Sequence, residues 1–148
     1  MTIKDVIRQK GEKVYSLQTG ETLREALANM TAHRIGALLI MDRNREIAGI
    51  LSERDILRHL DNGGGILGKA TVEEVMTPRH RLVVVAEDDD LDYAMGIMTR
   101  NRVRHLPVVA AGKLCGMVSI GDLIKAQLSC REHENKMLQD YIAGRYPA

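Results

Sequence analysis

One phrase is written twice in this chain, and that duplication constrains the fold more than any other feature. Residues 49–57 read GILSERDIL and residues 116–124 read GMVSIGDLI. Both place Gly, two aliphatics, Ser, two variable positions, Asp and two more aliphatics in the same order. Ser119 follows Ser52 by 67 positions, as Asp122 follows Asp55, whereas Arg102 follows Arg34 by 68. One residue is therefore missing between DRNREI and AAGKL, a turn in which a change of length is tolerated. In this register HRIGALLIM matches NRVRHLPVV, TLREALANM matches DLDYAMGIM, and TIKDVI at 2–7 matches TVEEVM at 71–76. Self-similarity at a fixed period marks a repeated supersecondary unit. The halves are read as 1–69, with an N-terminal helix and a Gly-rich linker, and 70–148, with a long C-terminal helix. Each is too short to bury a good core alone, so the two are expected to share one.

Within each half the hydrophobic period changes. Leu23, Ala26, Leu27 and Met30 fall at helical spacing, as do Leu91, Ala94, Met95 and Met98. The continuous aliphatic runs at 35–41 and 103–109 suit buried strands. A turn, a second short strand (47–51; 114–118) and a helix opening at the Ser follow in both halves. Each half thus reads strand, helix, strand, strand, helix, an α/β class. The last helix is expected to continue from 123 to about 143. Its apolar stripe of Met137, Leu138, Tyr141 and Ile142 has no obvious cover and predicts a homodimer. With no Phe, no Trp and only four Tyr, the core must be aliphatic and rich in Met.

The repeated Ser and Asp admit two readings. Ser-x-x-Asp between an apolar strand and an apolar helix is a capping box, with Ser as N-cap and Asp three residues on, where a carboxylate also suits the helix dipole. The same geometry suits a nucleotide. A helix N-terminus offers unpaired N–H groups to phosphate, and a carboxylate accepts hydrogen bonds from the vicinal diol of a ribose. The pattern alone leaves both readings open.

Other signals exclude more than they assign. A formal charge of +1 gives no electrostatic reason for a nucleic-acid or membrane partner. Cys115 and Cys130 fit neither a disulfide framework nor a zinc pattern, and Cys115, within KLCGMV, is expected to be a buried, inert thiol. The N-terminus lacks an apolar signal region, so a cytoplasmic location is expected. GGGILGKA at 63–70 nearly spells a phosphate-binding loop, but its last position is Ala70 and it follows a helix instead of a strand, so it reads as a linker. No histidine pair has metal spacing. Asp88, Asp89 and Asp90 precede a helix and read as capping. No set of side chains suggests a nucleophile, so no enzyme and no catalytic cofactor are expected.

The duplicated G-h-h-S-x-x-D phrase, preceded by H-R-I-G-A-L and N-R-V-R-H-L-P-V-V, with M-T-P at 76–78, resembles a tandem pair of CBS domains, named after cystathionine β-synthase. The resemblance covers nearly the whole chain. It implies two β-α-β-β-α repeats related by pseudo-twofold symmetry, and a regulatory sensor that binds AMP, ADP, ATP or a NAD-like adenosyl ligand in two clefts. It also implies a separate effector protein. Carried over residue by residue, one cleft would combine Ser52, Arg54 and Asp55 with Thr77, Val83, Val103, Arg104 and His105. The other would combine Ser119 and Asp122 with Tyr15, Ile35, Gly36 and Ala37. On that assembly the cations gather with Asp55, and the walls around Asp122 are small and uncharged. This sequence departs from the family at two places: Ser stands where Thr is common, and Leu39 replaces the proline seen at Pro107. Two other roles fit the same fold: an interaction module with empty clefts, and a nucleic-acid-binding pair.

Overall fold

The computed structural model describes residues 1–11 and 13–144. The chain is mixed α/β, with two sheets and six α-helices among the described residues. Its compact units do not follow the sequence repeats. The described residues of Lys13–Val83 form one unit, and those of Met1–Glu12 and Val84–Ala148 form the other.

In the unit formed by Lys13–Val83, β1 (Ser16–Gln18) runs parallel to β2 (Ala37–Met41), with α2 (Leu23–His33) as the crossover. β3 (Ile47–Ser52) returns antiparallel, and β4 (Thr77–Pro78) completes the order β1-β2-β3-β4. α3 (Glu53–Asn62) leaves directly from β3, and the short α4 (Val72–Val75) precedes β4. Leu17, Leu23, Ala26, Met30, Leu38, Ile40, Leu51, Ile56 and Val72 make the core. Val72 is fully buried, and its N–H donates to the Glu21 carbonyl at 2.8 Å.

The other unit repeats this plan with β5 (Val85–Ala86), α5 (Leu91–Asn101), β6 (His105–Ala110), β7 (Lys113–Ser119) and α6 (Ile120–Ile142). β5 is parallel to β6, and β6 antiparallel to β7. The role that α4 plays in the first unit falls here to α1 (Ile3–Lys10), from the other end of the chain. Ile3, Val6 and Ile7 are buried, and the N–H groups of Ile3 and Lys4 donate to the carbonyls of Asp89 and Glu87 at 2.9 and 2.8 Å. TIKDVI and TVEEVM are therefore equivalent segments, and each is built into the unit formed mainly by the other repeat's strands.

The duplication reaches individual backbone angles. α2 and α5 both end on an arginine in the left-handed region, Arg34 and Arg102, each with φ of 54°. The one-residue difference sits in the hairpins. The β2–β3 turn is held by Asp42, whose Oδ1 accepts the N–H groups of Asn44 and Glu46. The β6–β7 turn is the tight pair Ala111–Gly112, with φ of 50° and 76°. Two positive φ values define the turn that matches strand twist, and the second is one that Gly adopts without strain.

Two sequence expectations need correction. Cys115 is half-buried, not a core thiol. Val108 pairs with Gly116 and Val109 with Leu114, so Cys115 is the extra residue of a β-bulge. Asp90 stands at the N-cap of α5 but makes no side-chain capping bond; Asp89 instead accepts the Ala86 N–H at 2.8 Å. In the segment 63–70, α3 ends before Gly63, and Gly64, Gly65 and Gly68 all have positive φ. Among the described residues no helix is long and apolar enough to cross a membrane, and no group of His, Cys, Asp and Glu could hold a metal.

Candidate functional site

Both Ser-x-x-Asp phrases fold as capping boxes. The Asp55 N–H donates to Ser52 Oγ at 3.3 Å, and the Ser52 N–H donates to Asp55 Oδ2 at 3.0 Å. In the second copy the Asp122 N–H reaches Ser119 Oγ at 3.1 Å and the Ser119 N–H reaches Asp122 Oδ2 at 2.8 Å. Capping alone does not mark a binding site here, because Thr2 with Asp5 and Thr71 with Glu74 form the same box. What sets the serine boxes apart is their surroundings.

Asp55 is the one buried polar or charged residue among those described, 8% exposed. Burying a carboxylate is costly unless it is compensated, and a cap does not require it. Beyond the cap, the Thr77 hydroxyl lies 3.4 Å from both carboxylate oxygens, and Arg58 is 3.8 Å away on the exposed side. Thr77 is brought there by the β3–β4 pairing, in which Ile50 opposes Thr77 and Gly49 opposes Pro78. Gly49 makes this approach possible, since a Cβ there would lie 2.3 Å from the Thr77 carbonyl oxygen.

Asp122 is held differently. Its Oδ2 also accepts from Lys10 Nζ at 2.6 Å, and the same ammonium donates to the Met117 carbonyl at 2.7 Å. Partial burial pushes the Asp122 carboxyl up, but Lys10 and the Ser119 N–H outweigh it and hold the group below its ordinary value. Lys10 is a residue of this neighbourhood that the sequence reading did not name. It stands 112 positions from Asp122, and no local pattern links the two. A cation thus stands beside Asp122 that the small, uncharged walls expected there did not include.

The strand residues named from the sequence lie beside the serine of their own repeat. Ala37 opposes Ser52 in the β2–β3 ladder, and the Glu53 N–H donates to the Gly36 carbonyl at 3.0 Å. His105 opposes Ser119, and the Ile120 N–H donates to the Arg104 carbonyl at 2.8 Å. Gly36, Ala37, Ser52, Asp55 and Thr77 are thus brought together in one unit, and Arg104, His105, Ser119 and Asp122 in the other. Ile35 and Val103 are half-buried and precede these strands, their N–H groups tied to Met30 and Met98. Tyr15 lies one strand over, where its carbonyl accepts the Leu39 N–H, and its ring stacks on His33 at 4.0 Å with Lys13 over it at 5.0 Å. Arg54 is exposed on the first turn of α3, and Val83 is half-buried at the end of its unit.

Comparison with known proteins shows the duplicated fold elsewhere. The family model described as CBS domain matches residues 2–62 and again 72–129. The CBS domain-containing protein CBSX3, mitochondrial, of Arabidopsis thaliana is 35% identical, over 98% of this chain and 73% of its own length. A CBS-domain containing protein from Agrobacterium tumefaciens superposes with a TM-score of 0.81 at 33% identity, covering 85% of this chain and 92% of that one. A CBS domain protein from Pyrobaculum aerophilum, solved in complex with AMP, gives a TM-score of 0.71 at 25% identity, covering 82% and 89%.

Proposed function

The chain belongs to the CBS-domain family, and from that premise we propose that it is a regulatory module that binds adenine nucleotides at the serine-led starts of α3 and α6. The observation that carries this reading is the burial of Asp55. Its carboxylate faces the Thr77 hydroxyl across two long hydrogen bonds, an arrangement that a ribose diol can join or replace with shorter ones. The positive end of the helix dipole suits the phosphate, and the main chain at Gly36–Ala37, beside Ser52, offers a small-walled edge to the base. The AMP complex of the Pyrobaculum aerophilum protein supports the ligand class.

The reading is of a sensor, with its effect exerted on a separate protein. Met137, Leu138, Tyr141 and Ile142 are all more than half exposed along α6, which supports self-association through that helix. The function is tested by following thermal unfolding of dialysed protein with AMP, ADP, ATP and NAD. A ligand at a hundred times its Kd stabilises the folded state by about 2.7 kcal/mol, so at least one of the four should raise the midpoint by several degrees. No shift with any of them at millimolar concentration contradicts the proposal.

A further inference from the structure

Lys10 reaches Asp122 from a fixed platform. It is the last residue of α1, whose Ile3, Val6 and Ile7 are buried in the same unit, and its side chain is only one-third exposed. The residue in register with it in the other repeat, Arg79, pairs with the exposed Glu46 at 3.4 Å instead. The two duplicated carboxylates therefore differ in kind: Asp122 has a built-in counter-cation within 2.6 Å, whereas Asp55 has an exposed arginine at 3.8 Å.

The consequence concerns charge. The N-terminus of α6 favours an anion, but a bare Asp122 carboxylate in the first turn repels one. An ammonium on Oδ2 cancels that repulsion. Of its three N–H donors, two are taken by Asp122 and Met117, which leaves one to turn toward a ligand. We infer that Lys10 is the specificity-determining residue of the Asp122 site, making it accept the phosphate-bearing form of an adenosyl ligand in preference to the neutral nucleoside. The inference rests on the nucleotide-binding reading and extends it to the kind of ligand one site selects.

The test isolates the Asp122 site in an Asp55→Asn protein and measures AMP and adenosine by calorimetry with Lys10, Lys10→Met and Lys10→Arg. Loss of the cation should lower the ratio of AMP to adenosine affinity by about tenfold, the factor that 1.4 kcal/mol makes, and Lys10→Arg should restore it. In parallel, carboxyl NMR should show the Asp122 titration moving upward in Lys10→Met. An unchanged ratio overturns the inference, and so does an equal gain for both ligands, which would make Lys10 an internal competitor for the carboxylate. AMP binding to the wild type that vanishes altogether in Asp55→Asn also overturns it while leaving nucleotide binding intact. Failure of the wild type to bind any nucleotide removes the underlying reading itself.

Discussion

In the unit that holds Asp55, Leu39 donates its N–H to the Tyr15 carbonyl at 3.2 Å, and β1 runs for three residues. In the unit that holds Asp122 the residue in register is Pro107, which has no N–H to give, and β5 is only Val85–Ala86. The carboxylates differ as well. Asp55 is buried opposite a threonine hydroxyl, while Asp122 is a quarter exposed and paired with Lys10. Yet the caps, the bulges and the left-handed arginines coincide. The difference teaches that the duplicated phrase specifies a backbone frame, and that the segments outside it, α1, β4 and the first strand, specialise each copy.

The largest effect expected concerns α1. Ile3 is fully buried in the unit formed mainly by the second repeat, so Ile3→Ala should cost about 2–5 kcal/mol. Hydrogen exchange should quicken in β6, β7 and α6 and stay slow in β1–β3. Faster exchange confined to β1–β3 would assign α1 to the wrong unit.

A smaller effect separates the two glycines of the repeated phrase. At Gly49 a new Cβ meets the Thr77 backbone oxygen at 2.3 Å, which can only be relieved by moving β4 and with it the hydroxyl facing Asp55. Gly49→Ala should cost about 1–3 kcal/mol and weaken AMP binding. At Gly116 the Cβ meets only the tip of Ile7, at 2.7 Å. Gly116→Ala should cost about 1 kcal/mol or less, since a side-chain end gives way more readily than backbone. Denaturant melts of the two variants side by side decide this, and equal losses would erase the contrast.

Much of this was legible from the sequence. The period-3.6 segments at 23–30 and 91–98 and the aliphatic runs before each serine located α2, α5, β2 and β6, because burial dictates those patterns. Both serine caps followed from local chemistry alone. Which sheet α1 and α4 join was not legible, since TIKDVI and TVEEVM are alike and the choice depends on chain path. Lys10 escaped for the same reason: an ion pair across 112 positions leaves no local trace. The burial of Cys115 was misread because its apolar neighbours do not reveal a bulge.

The smallest stability effect follows pH. Asp122 is held below its ordinary value in the folded protein, chiefly by Lys10 and the Ser119 N–H working against burial. A depressed carboxyl contributes stability above its unfolded value and loses it as pH falls through the folded one. Lys10→Met should therefore be less stable than wild type near neutral pH, and the two should converge in acid below the usual aspartate range. A gap that stays constant down to pH 2 would show that Lys10 acts through its methylenes and not its charge.

The most direct test asks whether these aspartates hold a ribose or only cap helices. AMP and 2′-deoxy-AMP are titrated calorimetrically into Asp122→Asn, which keeps Asp55, and into Asp55→Asn, which keeps Asp122. A hydrogen bond to a charged group contributes about 1.5–3 kcal/mol, roughly ten- to a hundredfold in affinity. The account predicts that Asp122→Asn prefers AMP by that factor, and that Asp55→Asn prefers it less, because Lys10 already occupies Asp122 Oδ2. Equal affinities for the two ligands in both variants would contradict the account and return Asp55 and Asp122 to capping alone.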